Sequence, residues 1–248
     1  MSIRLKRAAS LTAALSILFC LSAALSAPDR DEGRAENPYK IYLTFDDGPS
    51  WITEKALDTL KAHGVKATFF VTGQTSESRV ALYRRILSEG HALGLHSYTH
   101  ATRRIYASAD HYIEDFERLR DWIFLHTGQS PKICRMVGGS RSRLVPKAER
   151  LKITEYFRAG GYAAYDWDID PLDSGAYPLG AGAIAKNVIR DARKKDEQDL
   201  VILLHDDGIR KTLPAALDII IPYFLERGYA FGALEAGTVL NSSRAPVS

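Results

Sequence analysis

Two adjacent carboxylates, Asp46 and Asp47, follow a short apolar run and precede Gly48-Pro49, which we expect to supply the bend that lets both face one site. Further along the chain, His96 and His100 stand four residues apart, a spacing that lets two imidazoles on one helical turn hold one cation. One carboxylate and two histidines leave open coordination positions, which suits hydrolysis at Zn²⁺ and, less well, oxygen chemistry at Fe(II). Taken alone, the acidic pair also fits a surface turn and the histidine pair a coincidence, so the prediction of a metal site depends on their combination.

Two further polar residues stand within or directly after apolar runs. His205 follows the run Leu200–Leu204, where it is a candidate proton donor or, on even terms, a hydrogen-bonded structural histidine. Arg135 lies inside an apolar run, and a guanidinium in such a strand needs a carboxylate partner. Asp46 is a suitable partner because a metal ion need only take Asp47.

The elements that must bring these residues together are seven short apolar runs, which read as strands and alternate with longer helical patterns. Most runs follow a glycine that can end a helix in the left-handed conformation. The predicted strands are Ile41–Phe45, Ala67–Val71, Ala92–Leu95, Ile133–Val137, Tyr162–Trp167, Leu200–Leu204 and Tyr229–Phe231, and the glycines are Gly64, Gly90, Gly128, Gly160 and Gly228. This alternation predicts parallel strands with right-handed crossovers.

Seven such units in about 210 residues predict an α/β fold, a distorted (β/α)7 barrel slightly smaller than the eight-stranded one. An open doubly wound sheet is the alternative. In both architectures the active site lies at the carboxyl ends of the strands. The polar residues singled out above stand at or near such ends, so we expect them to converge.

Five motifs, in chain order, resemble those of the polysaccharide deacetylases with a NodB homology domain, which form carbohydrate esterase family 4. They are Thr44-Phe45-Asp46-Asp47-Gly48-Pro49, His96-Ser97-Tyr98-Thr99-His100, Arg135 to Gly139, Asp170 to Ser174, and Leu203-Leu204-His205-Asp206. The resemblance covers nearly all of residues 40–235, and the first two motifs are highly specific together. The family fold is a distorted (β/α) barrel with fewer than eight strands, in agreement with the seven counted from the pattern.

This resemblance implies a metal-dependent hydrolase that removes N-acetyl groups from N-acetylglucosamine-type residues of a polysaccharide, either peptidoglycan or a chitin-like polymer. One divalent metal ion, usually Zn²⁺ in the family, would be bound by Asp47, His96 and His100. Such an ion lowers the pKa of bound water and polarises the acetyl carbonyl. Asp46 would then be the catalytic base that takes the proton of the attacking water.

The remaining motif residues would complete the reaction. By the resemblance, Arg135 would orient Asp46, and the backbone N–H of Gly138 would stabilise the developing oxyanion. His205, kept cationic by Asp170, would protonate the leaving amine, because an amide anion is a very poor leaving group.

Two motifs depart from the family's pattern. Met136-Val137 stands where the family has a proline-containing pair, so no proline fixes φ in the loop of the oxyanion donor. Ser174 stands where tryptophan is usual, and a wall of the sugar groove is therefore missing or supplied by Tyr177 or Trp167. A second acidic pair, Asp206-Asp207, matches no metal-binding position and is predicted to serve in a turn or cap.

Two alternatives to this function remain open. The same machinery can remove O-acetyl groups from xylan, and a carbohydrate-binding protein whose catalysis has decayed would keep the fold. The presence of all the polar motif positions argues against the second. No platform of basic and aromatic residues is present, so the expected partner is a polysaccharide and not a nucleic acid.

The first 26 residues have a basic start, an uncharged apolar stretch and small residues at the end, a pattern typical of a secretory signal peptide. An uncut membrane anchor is the alternative. Residues 27–39 are charged and lack apolar periodicity, which predicts a linker to a deacetylase domain at 40–240. We therefore expect the protein to be secreted or held at the cell envelope, with no stable membrane insertion once the leader is cleaved.

The net charge and the cysteine content exclude further classes of protein and of metal site. The chain has 33 Lys and Arg and 30 Asp and Glu, a net charge of +3 that comes entirely from Arg4, Lys6 and Arg7. Cleavage after Ser26 therefore leaves a formally neutral protein. Two cysteines are too few for a disulfide framework or a cysteine-built zinc site, and Cys134 is predicted to pack inside a strand.

Overall fold

The structure is a computed structural model that describes residues 37–195 and 197–241. The predicted signal peptide, 1–26, and most of the predicted linker, 27–39, lie outside the described residues. At the start of the described part, the backbone N–H of Asn37 donates to the carbonyl oxygen of Gly228 at 3.1 Å. The last residues of the predicted linker therefore contact the fold.

In the described part of the chain, seven parallel strands form one sheet. They are β1 Lys40–Asp46, β2 Thr68–Thr72, β3 Ala92–Ser97, β4 Ile133–Cys134, β5 Ala163–Ala164, β6 Leu200–His205 and β7 Ala230–Phe231. The order across the sheet is β5-β4-β3-β2-β1-β6, and β7 pairs with the first two residues of β1. All seven predicted strands are present, but β4 and β5 are shorter than predicted because the chain leaves the sheet after Cys134 and Ala164.

The two edges of this sheet meet. Beyond β5 the chain reaches β6, where Ile169 pairs with Ile202 in an isolated parallel bridge. The backbone N–H of Leu203 donates to the carbonyl oxygen of Ile169 at 2.9 Å. The sheet therefore curls round on itself, which confirms the predicted distorted (β/α)7 barrel and not the open doubly wound sheet.

Helices surround the sheet. They are α1 Trp51–Ala62, α2 Glu77–Ser88, α3 Thr102–Ile105, α4 Ala109–Thr127, α5 Lys147–Ala159, α6 Ala181–Ala192 and α7 Leu213–Leu225. Because successive strand residues point to opposite faces, the strands contribute to two apolar clusters. The smaller contains Tyr42, Phe70, Ile133, Tyr165, Val201 and Leu234 and lies inside the curled sheet, whereas the larger packs the sheet against the helices.

The glycines before the strands behave largely as predicted. Gly64, Gly90, Gly128 and Gly228 have φ between 68° and 78°, the left-handed conformation that ends a helix. The prediction for Gly160 is wrong, because that residue has φ −81° and its neighbour Gly161 takes the left-handed position with φ 67°.

Two further properties of the described residues concern Cys134 and the helices. Cys134 is a free, fully buried cysteine, and burial raises the pKa of its thiol. This confirms the prediction that the Cys134 side chain packs in the core and is not a reactive thiol. No helix in the described part of the chain combines the length and apolar character that crossing a bilayer requires.

Candidate active site

The acidic pair lies at the carboxyl end of β1. Asp46 still belongs to the strand, where it pairs with His205 of β6, and only 3% of it is exposed. Asp47 has φ 75°, so the chain bends at this residue itself, whereas we expected Gly48-Pro49 to supply the bend. A short aspartate side chain tolerates this left-handed conformation. The bend lets both carboxylates line one cavity, although neighbours on a regular strand face opposite sides.

The side chain of Asp206 fixes this bend through hydrogen bonds. Its carboxylate accepts hydrogen bonds from the backbone N–H of Gly48 at 2.9 Å and from the hydroxyl of Thr53 at 2.5 Å. A Cβ atom at Gly48 would lie 2.3 Å from Oδ2 of Asp206, so the turn requires glycine there. Burial raises the pKa of Asp206 to about 7. Asp206 therefore serves in a turn, as predicted.

Three ligand atoms converge beside this turn. Oδ1 of Asp47 lies 3.0 Å from Nε2 of His100 and 3.4 Å from Nε2 of His96, and all three atoms lie within 4.8 Å of one another. Oδ1 of Asp47 is nevertheless buried without a hydrogen bond to any described residue. The atoms therefore point toward a common centre and not at each other.

These separations fit one metal ion. Two ligands about 2.1 Å from a tetrahedral Zn²⁺ lie about 3.4 Å apart, close to the distances from Asp47 to the two histidines. Nδ1 of His96 lies 2.8 Å from the carbonyl oxygen of Arg135 and, since a carbonyl only accepts, must carry the proton. The lone pair on Nε2 of His96 is thereby directed to the centre.

Neighbouring charges also shift the pKa values of Asp47 and His100. Burial favours the neutral acid at Asp47, but His100 and His96 outweigh it and hold the pKa of the Asp47 carboxyl well below its ordinary value. The contact with Asp47 raises the pKa of His100 in turn. Asp47 is therefore ionised at neutral pH, and the binding of a metal ion by His100 competes with protonation of that ring.

Arg135 holds the other carboxylate. It is fully buried, and its Nη1 donates to Oδ1 of Asp46 at 2.9 Å and to the hydroxyl of Thr44 at 2.7 Å. Its remaining nitrogens donate to the carbonyl oxygens of Tyr165 and Asp166 at 2.9 and 3.0 Å. The structure thus brings Arg135 and Asp46 together and satisfies the buried guanidinium on every side.

His205 lies next to Asp46, but its partner differs from the one expected. Nδ1 of His205 lies 2.7 Å from Oδ1 of Asp173, whose other oxygen accepts from the backbone N–H of His205 at 2.9 Å. The expected pairing with Asp170 is wrong: Asp170 lines the cavity, and its carboxylate accepts from the backbone N–H of Leu172 at 2.8 Å. Burial lowers the pKa of His205, but Asp173 outweighs burial and raises it to about 9.

Gly138 lies where the loop after β4 enters the cavity. Gly138 and Gly139 have φ 72° and 80°, and the backbone N–H of Gly139 donates to the carbonyl oxygen of Met136 at 2.8 Å. The hydroxyl of Tyr106 donates to the carbonyl oxygen of Val137 at 2.6 Å. These bonds hold the loop in the absence of the family's proline.

One cavity of about 380 Å³ contains the expected site residues. Asp46, Asp47, His96, His100, Gly138, Asp170 and His205 line it, while Arg135 supports it from within the barrel. Ser174 lines the cavity at the place of the usual tryptophan, and Trp167 supplies a wall. Tyr177, the other candidate for that wall, is 87% exposed and lies outside the lining.

Asp115 of α4 supports the segment between the two histidines, a role that the sequence analysis missed. Its carboxylate accepts from the hydroxyl of Ser97 at 2.6 Å and from the backbone N–H of Tyr98 at 2.7 Å. It also accepts from the backbone N–H and hydroxyl of Thr99 at 3.1 and 2.6 Å. The Ser97 oxygen in turn accepts from the backbone N–H of His100 at 2.9 Å.

Comparison with known proteins finds relatives among the polysaccharide deacetylases. The family described as "Polysaccharide deacetylase" matches residues 33–156. A peptidoglycan-N-acetylglucosamine deacetylase of Bacillus cereus is 38% identical over 212 residues, which cover 84% of this chain and 73% of that protein.

Solved structures extend the match to nearly the whole described chain. The catalytic domain of a peptidoglycan N-acetylglucosamine deacetylase from Eubacterium rectale has a TM-score of 0.76 at 30% identity, covering 86% of this chain and 98% of that one. A CE4 domain of a multidomain xylanase, from the hindgut metagenome of Trinervitermes trinervoides, has a TM-score of 0.68 at 27% identity, with coverages of 85% and 98%. The same architecture thus occurs in proteins with different polymers in their names.

Proposed function

Because this chain belongs to the polysaccharide deacetylase family that its motifs resemble, we propose that it hydrolyses the N-acetyl groups of N-acetylglucosamine residues in peptidoglycan. The products are acetate and a glycan with free amines. The observation that carries this proposal is the convergence of three ligand atoms beside the Asp46 carboxylate that Arg135 holds, with His205 on the neighbouring strand. The similarity to the Bacillus cereus enzyme supports the choice of polymer.

The donor set favours Zn²⁺ among divalent ions. Two imidazoles and one carboxylate with open positions are typical ligands of hydrolytic zinc. When bound by Asp47, His96 and His100, such an ion lowers the pKa of water and polarises the acetyl carbonyl.

Asp46 is the base in this proposal. Arg135 binds its Oδ1, and its Oδ2 lies 3.9 Å from Nε2 of His96, on the side of the metal ligands. In this proposal Oδ2 takes a proton from the attacking water. The fixed guanidinium keeps the carboxylate in this orientation through the reaction.

His205 is the acid. Its Nδ1 faces Asp173, so its Nε2 carries the proton available to the cavity. A pKa of about 9 keeps the ring cationic at neutral pH, and the ring can protonate the amide nitrogen as the C–N bond breaks. Gly138 lines the cavity, and in this proposal its backbone N–H donates to the developing oxyanion.

The protein would meet its polymer outside the cell. The pattern of residues 1–26 supports export, either as a secreted protein or as one held at the cell envelope. Peptidoglycan is the extracellular polymer that matches the name of the Bacillus cereus relative.

A substrate panel with acetate detection tests this function. Purified zinc-loaded protein is incubated with peptidoglycan, chitin oligomers and acetylxylan, and both acetate and new amines are measured. We expect acetate and amines in equal amounts from peptidoglycan. Failure to release acetate from any of the three polymers would contradict the enzyme function.

An O-acetyl esterase is the rival function, favoured by the similarity to the xylanase domain. An alkoxide leaves more readily than an amine, so an esterase depends less on protonation by His205. We expect His205→Ala to lose at least 100-fold in amide hydrolysis. Esterase activity on acetylxylan that exceeds amide hydrolysis in the wild type, and survives in His205→Ala, would establish the rival instead.

A further inference from the structure

The side chain of Asp166 holds the loop that enters the active-site cavity after β4. Its Oδ1 accepts a hydrogen bond from the backbone N–H of Ser140 at 2.8 Å, and its Oδ2 accepts one from the Ser140 hydroxyl at 2.5 Å. Hydrogen bonds to an ionised acceptor are stronger than those between neutral groups. The two bonds join this loop to the segment after β5, and the proposed reaction gives the Asp166 carboxylate no role.

The turn next to Ser140 contains an open hydrogen-bond donor. Gly138 is exposed, whereas Val137 and Gly139 on either side of it are buried. The backbone N–H of Gly138 has no acceptor in the described part of the chain. Gly138 and Gly139 have φ 72° and 80°, and glycine adopts such a conformation freely but does not enforce it. The direction of this N–H therefore depends on the contacts that fix the turn.

The residues around Asp166 join the turn to the base. A Cβ atom at Gly139 would lie 2.9 Å from Cη2 of Trp167, so the turn packs against the indole ring. The backbone carbonyl oxygen of Asp166 accepts from Nη2 of Arg135 at 3.0 Å, and Arg135 holds Asp46. Asp166 thus binds the loop of Gly139 through its side chain and Arg135 through its backbone. A substitution at this position removes the first contact and leaves the acceptor of the second.

We propose that Asp166 is a positioning residue that directs the backbone N–H of Gly138 toward the oxyanion, where Met136-Val137 supplies no proline to fix the loop. This rests on the proposed function and deepens it. The negative charge on the acyl oxygen develops only as water attacks the carbonyl carbon. Asp166 therefore acts on the transition state and not on the binding of the substrate.

The test compares three variants with the wild type on a soluble peptidoglycan glycan. Asp166→Ala removes both bonds, Asp166→Asn keeps an oxygen for the Ser140 N–H, and Ser140→Ala removes the hydroxyl bond alone. We expect Asp166→Ala to lower kcat at least 10-fold with KM within twofold, since a misplacement of about 1 Å costs up to about 100-fold. The other two variants should lose less. The matched control, Asp121→Ala, removes an exposed carboxylate from α4 and should keep wild-type kinetics.

A tetrahedral mimic gives a readout that a merely structural role would not move. The probe is the same glycan with its acetamide replaced by a methylphosphonamidate, whose anionic oxygens stand for the oxyanion. Asp166→Ala should lose affinity for this probe by the same factor as it loses kcat/KM, yet bind the deacetylated glycan like the wild type. Its zinc content and the pH profile of kcat/KM should be unchanged, because the Asp166 carbonyl still holds Arg135.

Two results would overturn the proposal. One is wild-type kcat in Asp166→Ala. The other is an equal loss of affinity for the probe and for the deacetylated glycan, or a loss of zinc, which would give Asp166 a structural role. If Asp166→Ala does not fold, Ser140→Ala carries the same comparison of probe and product. Acetate release by the wild type tests the proposed function separately, because an active wild type with unchanged variants refutes the role of Asp166 alone.

Discussion

The pairing of His205 with Asp173 makes a prediction about pH. Asp173 favours the charged form of the ring in the folded protein and raises the pKa of His205 to about 9, against the effect of burial. The proton that His205 donates is therefore present below about pH 9 and lost above it. We expect kcat/KM for amide hydrolysis to fall on the alkaline side with an apparent pKa near 9.

Substitution separates the two candidate partners. Asp173→Asn removes the charge that stabilises the imidazolium, so the alkaline limb of the profile should move at least one pH unit lower. Asp170→Asn, the matched control on the same loop, should leave that limb in place. A profile that moves with Asp170 and not with Asp173 would contradict the geometry.

The sequence identified the types of residue in the site but not every hydrogen-bonded pair among them. Asp170 and Asp173 stand three residues apart after β5, and both fit a search for a carboxylate near His205. The backbone conformation determines which aspartate contacts His205. Leu172 has φ 63°, and its backbone N–H donates to Asp170. Asp173 is therefore the aspartate whose carboxylate contacts His205 of β6. A single non-glycine residue in the left-handed conformation has no dependable local signal.

Helix α4 and strand β3 together support the proposed metal site. Asp115 on α4 accepts four hydrogen bonds from the segment that separates His96 from His100. Such supporting partners of metal ligands are worth about 10- to 100-fold in metal affinity. We expect Asp115→Asn to weaken zinc binding by that factor, measured by competition with a chromophoric chelator.

The control for this variant is Asp121→Asn, on the same helix but exposed. It should bind zinc like the wild type. Zinc affinity that is unchanged in Asp115→Asn, or weakened equally in both variants, would show that α4 does not position the ligands.

The sequence predicted the strands that carry the proposed metal ligands but not the residues that hold those ligands in position. The histidine spacing and the strand before it are local patterns and were recognised from local sequence. Asp115 lies 15 residues beyond His100 on a helix face, where an acidic residue is ordinarily solvated. The bend at Asp47 was missed for a similar reason, because Gly48-Pro49 carries the stronger turn signal while Asp206, directly after β6, fixes the conformation.

Contacts between residues on opposite sides of the barrel hold the site together. Arg135 spans the interior from β1 to the segment after β5, and the bridge between Ile169 and Ile202 closes the ring. Alternating strands and helices predicted this architecture, since hydrophobic periodicity is local. The closing bridge involves one residue pair outside the regular strands, and no periodic pattern marks it.

This construction predicts a folded protein without metal. Chelation should abolish acetate release but leave the far-UV circular dichroism unchanged, because His96 and Asp46 are already held by Arg135. Zinc at 100 times its Kd should then add about 2.7 kcal/mol to the free energy of unfolding and raise Tm. Loss of secondary structure on chelation, tested by spectroscopy and reversed by zinc, would instead make the metal part of the fold.

The proposed mechanism gives two adjacent carboxylates different roles, with Asp46 as the base and Asp47 as a metal ligand. The most direct test measures zinc content and acetate release from peptidoglycan in the same preparation of Asp46→Asn, beside His96→Ala. We predict that Asp46→Asn retains one zinc per chain and loses about 100-fold or more in turnover, whereas His96→Ala loses both. Wild-type turnover in Asp46→Asn would contradict the assignment of Asp46 as the base.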